Sequence, residues 1–124
     1  MRDVRLRMPA EPGSLRAARD RLRVWLEAIG VREPVAGDVV LAVNEAFANA
    51  IEHPVARGKP WVDLVARLEQ GRVVITISDS GRWREGRGSE NRGRGLQLMR
   101  AFMDDVAVET ASGGTTVRLG RRID

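Results

Sequence analysis

Glu45, Asn49 and His53 follow one another at intervals of four residues, a spacing that stacks side chains on one face of a helix. A carboxylate in such a stripe can serve as a general base, and an asparagine can give its amide oxygen to a hard cation such as Mg²⁺. The same triplet also reads as a solvated helix flank, the commoner fate of polar residues. The small neighbours Ala42, Ala46, Ala48 and Ala50 leave room for a ligand to approach. His53 precedes Pro54 and reads as a helix-end residue near the last carbonyls, not as a ligand or base. Further along, Asp79 falls in step with Val73, Ile75 and Ile77, so alternation turns its carboxylate toward the core side at the end of a strand. Gly81, two residues later, admits close approach of a backbone or a ligand. A carboxylate so placed needs a partner. Turn amides would make it structural; a ligand's exocyclic amine would make it a selector. Gly93-Arg94-Gly95 opens another helix, where free amides and glycines suit phosphate, though a lid hinge or a plain cap accounts for the same residues. Gly114-Thr115-Thr116 reads equally as a hairpin turn entering a β-branched strand, and Trp83 as a packing anchor or a partner contact.

The elements that must position these residues follow from hydrophobic periodicity. Val4, Leu6 and Met8 alternate with charges as a first strand. Ser14 is the expected N-cap of a helix with apolar positions Leu15, Ala18, Leu22, Trp25, Leu26 and Ile29, ended by Gly30. Asp38 is the expected cap of a second helix over about 38–53, whose core stripe is Val39, Val43, Ala46, Phe47 and Ala50. Strands are expected at 61–68 and 73–77 around a Glu69-Gln70-Gly71 turn. Residues 80–95 lack periodicity and contain five glycines, a lid-like loop. A third helix carries Leu96, Met99, Phe102 and Met103, and a closing hairpin carries Val106, Val108, Thr115, Val117 and Leu119. This order predicts an α+β two-layer sandwich, a mixed, mostly antiparallel sheet covered on one face by three helices.

Size and composition narrow the chemistry. At 124 residues and 13.7 kDa the chain is one domain's worth of polypeptide, and 43% hydrophobic with 31% charged residues is a globular composition. No cysteine is present and His53 is the single histidine, which excludes disulfides and thiolate metal sites and argues against a multi-histidine zinc site. No apolar run approaches a membrane span, and the charged N-terminus is no secretory signal, so a cytoplasmic location is expected. Twenty of the 21 basic residues are arginine. Between positions 81 and 100 six arginines stand against two glutamates, a net of +4 that equals the excess of the whole chain. The charge pattern points to a local anionic ligand and away from a general nucleic-acid surface.

Taken in order, these motifs resemble those of the GHKL (Bergerat-fold) ATPases. Glu45-Ala46-Phe47-Ala48-Asn49-Ala50-Ile51-Glu52-His53 resembles the family's N-box, Asp79-Ser80-Gly81 its first glycine box, Gly93-Arg94-Gly95-Leu96-Gln97-Leu98-Met99 its second, and Gly114-Thr115-Thr116-Val117 its closing Gly-Thr motif. Within that superfamily the chain is most similar to RsbW-type anti-sigma factor serine-protein kinases. The resemblance implies a Bergerat fold over 1–124, a lid at about 80–95, and ATP or ADP with Mg²⁺ as ligands. It assigns Glu45 as catalytic base and Asn49 as the Mg²⁺ ligand. Asp79, Gly81 and Thr115 would hold the adenine, and Arg92, Gly93, Arg94, Gly95 and Leu96 would form the phosphate side. As partners it implies a sigma factor and an anti-anti-sigma (STAS-type) protein, with a homodimeric chain and no contact with nucleic acid or membrane. Some relatives of this type are fused to metal-dependent serine phosphatases, so a non-catalytic, nucleotide-dependent regulatory module is the alternative. The resemblance departs at Trp83, which stands where the first glycine box has its second glycine.

Overall fold

A computed structural model of the chain describes residues 3–52, 61–79, 90–111 and 114–123. In chain order the elements are β1 (Val4–Pro9), α1 (Pro12–Ala28), α2 (Val35–Glu52), β2 (Trp61–Glu69), β3 (Arg72–Asp79), α3 (Glu90–Phe102), β4 (Asp105–Ala111) and β5 (Gly114–Arg122). The five strands form one sheet in the order β1-β2-β3-β5-β4. Every pairing in it is antiparallel. The expectation of a mixed sheet is therefore corrected: β3 and β4 run the same way, but β5 lies between them and pairs with both.

Alternation decides which face is buried. Val62, Leu64 and Ala66 of β2, Val73, Ile75 and Ile77 of β3, and Val117 and Leu119 of β5 point to one side and are buried. Leu22, Trp25 and Leu26 of α1, Val39, Val43, Ala46, Phe47 and Ala50 of α2, Met99 of α3 and Met103 just after it cover them. The other face of the sheet carries polar side chains, among them Arg7 of β1, which reaches Asp63 of β2 at 2.7 Å.

Local signals differ from expectation at three helix starts. α1 begins at Pro12, and the residue before it, Glu11, is extended and makes no side-chain cap. Proline suits the first helical position because its missing N–H has no helical partner there anyway. Ser14 is buried in the first turn and is not the cap. α2 begins at Val35, three residues before Asp38. The Glu33 carboxylate takes the amide of Gly37 at 3.0 Å, and a Cβ on Gly37 would come within 2.6 Å of that oxygen. Asp38 instead pairs with Arg121 at 3.1 Å. α3 begins at Glu90, so the last six residues of the stretch expected to be loop are helical; 80–89 lie outside the described residues. The end of α1 and the first hairpin turn behave as expected. Gly30 (φ 85°) closes α1 with its amide on Glu27 O and the Val31 amide on Leu26 O, a Schellman arrangement. Gln70 and Gly71, with φ of 50° and 73°, make the two-residue turn whose twist matches the β2–β3 hairpin.

Candidate functional site

The four-residue spacing of Glu45 and Asn49 is realised on α2, beside the buried stripe of Ala46, Phe47 and Ala50. α3 packs on this flank. At the contact stands Gly95, where a Cβ would lie 3.2 Å from Glu45 Oε2 and 3.5 Å from Asn49 Nδ2. The two polar side chains therefore converge on one point of α3, and only a residue without a side chain admits them there without crowding. Asn49 Nδ2 is buried and has no hydrogen-bond partner among the described residues. A buried amide left in that state costs about 1–3 kcal/mol. As an amide nitrogen the group seeks an acceptor such as a phosphate oxygen; turned over about its last torsion, it presents an oxygen to a cation.

A second pair of expected residues meets in the sheet. Asp79 at the end of β3 stands opposite Thr115 near the start of β5. Both follow the alternation of the buried face, and Thr115 is 3% exposed, one of the few buried polar residues. Neither Asp79 nor Thr115 lacks an interaction within the protein. On the opposite face the hydroxyls of Ser78 and Thr116 lie 3.3 Å apart, which ties the same two strand ends together.

The remaining expected residues divide by position. Arg92, Gly93, Arg94, Gly95 and Leu96 all lie on α3, and Leu96 is partly buried against the core. Gly93 falls among the first four helical residues, whose amides have no partner within a helix. Gly95 is the sixth residue of α3, so its amide belongs to the helix ladder. It contributes by lacking a side chain rather than by offering a free N–H, a correction to the expected cradle of two glycine amides. Gly81, Trp83 and His53 lie outside the described residues.

Among the described residues no group of three or more His, Cys, Asp or Glu side chains is placed to hold a metal. Among the described residues, too, no helix is long and apolar enough to cross a membrane.

The sequence reading missed two features. Arg16, Arg19 and Arg23 of α1 line a shallow cavity of about 410 Å³ with Val40, Leu41 and Asn44 of α2, and Asn44 Oδ1 there is buried without a described partner. The arginine spacing of three and four marks this helix face, but the net-neutral charge outside 81–100 hides it. A larger cavity, about 1060 Å³, lies by the β2–β3 turn and the β4–β5 edge, bordered by Arg72, Arg118 and Gly120. It contains none of the expected site residues, and the orphaned amide at Gly95 is the stronger chemical signal.

Comparison with known proteins identifies the family. Residues 8–121 match the family described as the histidine kinase-like ATPase domain. An anti-sigma F factor of Clostridium acetobutylicum is 30% identical, with 68% of each chain covered, and one from a Thermoanaerobacter species is 30% identical with 69% of each covered. A crystal structure of the RsbU and RsbW domains of a Mycobacterium tuberculosis protein superposes with a TM-score of 0.85 at 28% identity, covering 99% of this chain. The chain spans 33% of that longer protein. The histidine kinase domain of a blue-light-activated kinase from Erythrobacter litoralis shares the fold, with a TM-score of 0.62 at 21% identity over 94% of this chain. Nucleotide binding is the common property of an ATPase domain. By profile, relatives and fold, this chain belongs to the histidine kinase-like (GHKL) ATPases, in their RsbW-type anti-sigma factor kinase branch.

Proposed function

We propose that this chain is an ATP-binding anti-sigma factor that phosphorylates a serine of an anti-anti-sigma (STAS-type) protein and, as a cytoplasmic homodimer, holds a sigma factor once that antagonist is phosphorylated. The observation that carries the reading is the convergence of Glu45 and an orphaned, buried Asn49 amide on Gly95. The partner class is supported by the relatives, which are anti-sigma F factors. The whole chain, 1–124, is taken as one ATP-binding unit whose lid comes from about 80–95.

Asp79 accepts a hydrogen bond from the exocyclic amine of adenine, with Thr115 beside it and Gly81 giving the ring room. Asn49 holds Mg²⁺. Arg92 and Arg94 neutralise phosphate charge, and Gly93 offers a first-turn amide. A bound Mg²⁺ would supply charge neutralisation for the phosphates. Glu45 orients the serine hydroxyl and takes its proton as the oxygen attacks the γ-phosphorus. The bond from that phosphorus to the bridging β–γ oxygen breaks, and ADP leaves. Positioning and charge neutralisation supply most of such a rate enhancement.

A second reading, a nucleotide-dependent regulatory module without transfer, has one observation in its favour: in the most extensively superposed of the structures above, an RsbW domain shares its chain with an RsbU domain. Both readings use the same nucleotide-binding residues. Incubation with γ-labelled ATP and a STAS-domain protein from the same organism separates them. The kinase reading predicts a phosphoserine on the partner that Glu45→Gln abolishes while ATP still binds. ATP binding with no label on any STAS partner favours the module, and transfer by Glu45→Gln at the wild-type rate would show that the base is wrongly assigned.

A further inference from the structure

The far end of α3 is fastened by groups that the nucleotide reading leaves unused. From β5, Arg121 donates through Nη1 to the carbonyl of Phe102, the last residue of α3. The same nitrogen lies 3.1 Å from Asp38 Oδ2 in the first turn of α2. Both side chains of this ion pair are mostly shielded, at 22% and 23% exposed, so solvent and salt weaken it less than a surface pair. Beside it the Asp104 amide donates to Gly120 O at 2.8 Å. The Asp104 carboxylate in turn accepts the Arg122 amide at 2.6 Å. The segment from Phe102 to Asp104 is therefore bound both to the sheet and, through Arg121, to α2.

The spacing along the two helices shows what this fastening controls. Asp38, Glu45 and Asn49 are separated by seven and four residues, which keeps them on one face of α2. Phe102 and Gly95 are likewise seven residues apart on α3. At 1.5 Å per residue both stretches are about 10 Å long. α3 thus runs antiparallel to α2 and meets it at two stations: Arg121 bridges Phe102 to Asp38 at one, and Gly95 meets Glu45 and Asn49 at the other. A tilt of about 10° around the first station would move Gly95 by about 2 Å over that lever arm. The contact at Gly95 has no such slack, since a single added carbon would already lie 3.2 Å from Glu45 Oε2.

We propose that Arg121, paired with Asp38, is a positioning residue for the nucleotide site. It fixes the angle of α3 on α2 from the end remote from the ligand, and thereby sets how the backbone of α3 at Gly95 sits against Glu45 and Asn49. The inference rests on the nucleotide reading above. It also makes a distinction within it: the adenine side, Asp79 and Thr115, belongs to the β3–β5 ladder and does not depend on the clamp.

Two measurements on the full chain test this. In calorimetry, Arg121→Ala weakens Mg²⁺-ATP about tenfold, as misplacement by an ångström or two would, while adenosine affinity stays within about twofold. Arg121→Lys recovers part of the loss. Asp38→Asn, isosteric and leaving Arg121 on Phe102, gives a smaller loss of the same kind and stands in if Arg121→Ala does not fold. In hydrogen exchange without nucleotide, amides 95–101 of α3 exchange faster in the variants while those of β2 and β3 do not change. Equal weakening of ATP and adenosine, or wild-type exchange in α3, overturns the proposal alone. Failure of the wild-type protein to bind either ligand removes the nucleotide reading and the proposal with it.

Discussion

Replacing Asn49 with alanine should raise folding stability and lower nucleotide affinity. In the free protein Nδ2 is buried without a described partner, and such a donor costs about 1–3 kcal/mol. Alanine removes that cost and adds about 0.5 kcal/mol of helix propensity in the interior of α2. Against this stands the dispersion lost with the amide group, about 0.1–0.2 kcal/mol per atom pair over a handful of pairs, or roughly 1 kcal/mol. The balance is a free protein more stable by about 1 kcal/mol, a rise of about 3–5 °C in midpoint for a chain of this length. With nucleotide present the sign reverses. A hydrogen bond or cation contact to a charged ligand is worth about 1.5–3 kcal/mol, so the dissociation constant for Mg²⁺-ATP should rise by about 10- to 100-fold. Urea unfolding of wild type and Asn49→Ala measures the first quantity, and calorimetric titration the second. A variant destabilised by about 1 kcal/mol or more, with unchanged ATP affinity, would refute the reasoning: the amide would then be a satisfied packing group and no ligand contact.

Three further outcomes follow from the same geometry. Gly95→Ala places a methyl 3.2 Å from Glu45 Oε2 and 3.5 Å from Asn49 Nδ2, so the carboxylate must give by a few tenths of an ångström. Because alanine gains about 1 kcal/mol over glycine inside a helix, the thermal midpoint should hold or rise while phosphotransfer falls by about tenfold. Asp79→Asn turns an acceptor-only group into one with a donor facing the adenine amine, so ATP affinity should fall by about tenfold or more. Since Asp79 also has a partner within the protein, a fall in midpoint should accompany it, readable by differential scanning fluorimetry. Phe47→Ala empties a fully buried position between Glu45 and Asn49 on the core side of α2; it should cost about 3–5 kcal/mol and lose cooperative unfolding before any effect on binding can be read.

Much of the fold is legible because burial and periodicity agree. The alternation of Val62, Leu64 and Ala66 against Val73, Ile75 and Ile77, joined at Gln70-Gly71, could form little but a hairpin with one apolar face. The stripe of Val39, Val43, Ala46, Phe47 and Ala50 likewise fixes which side of α2 faces the sheet, and so which side Glu45 and Asn49 flank. What failed was local chemistry overruled by distant contacts. Glu90-Asn91-Arg92-Gly93-Arg94-Gly95 has no apolar periodicity and two glycines, each about 1 kcal/mol unfavourable in a helix, yet it is helical because α3 packs on α2. The glycine read as a free amide is the residue on which Glu45 and Asn49 close. Asp38 has the side chain of an N-cap but is taken up by Arg121, a partner 83 positions away that no local rule can name.

The same distinction holds for the site. Helical spacing brings Glu45 near Asn49, and strand alternation turns Asp79 toward the core; both could be read from single elements. That Asp79 faces Thr115 required knowing that β5 inserts between β3 and β4, which no alternation pattern encodes. That Gly95 closes on Glu45 and Asn49 required the packing angle of two helices separated by two strands in sequence.

The most direct measurement is calorimetric titration of Mg²⁺-ATP into the wild-type protein, with Mg²⁺-GTP as comparison. Saturable one-site binding of ATP is predicted, with GTP at least tenfold weaker (about 1.4 kcal/mol) because guanine presents a carbonyl where Asp79 expects an amine. Absence of heat and of thermal stabilisation at millimolar ATP, or equal binding of both nucleotides, would contradict the account.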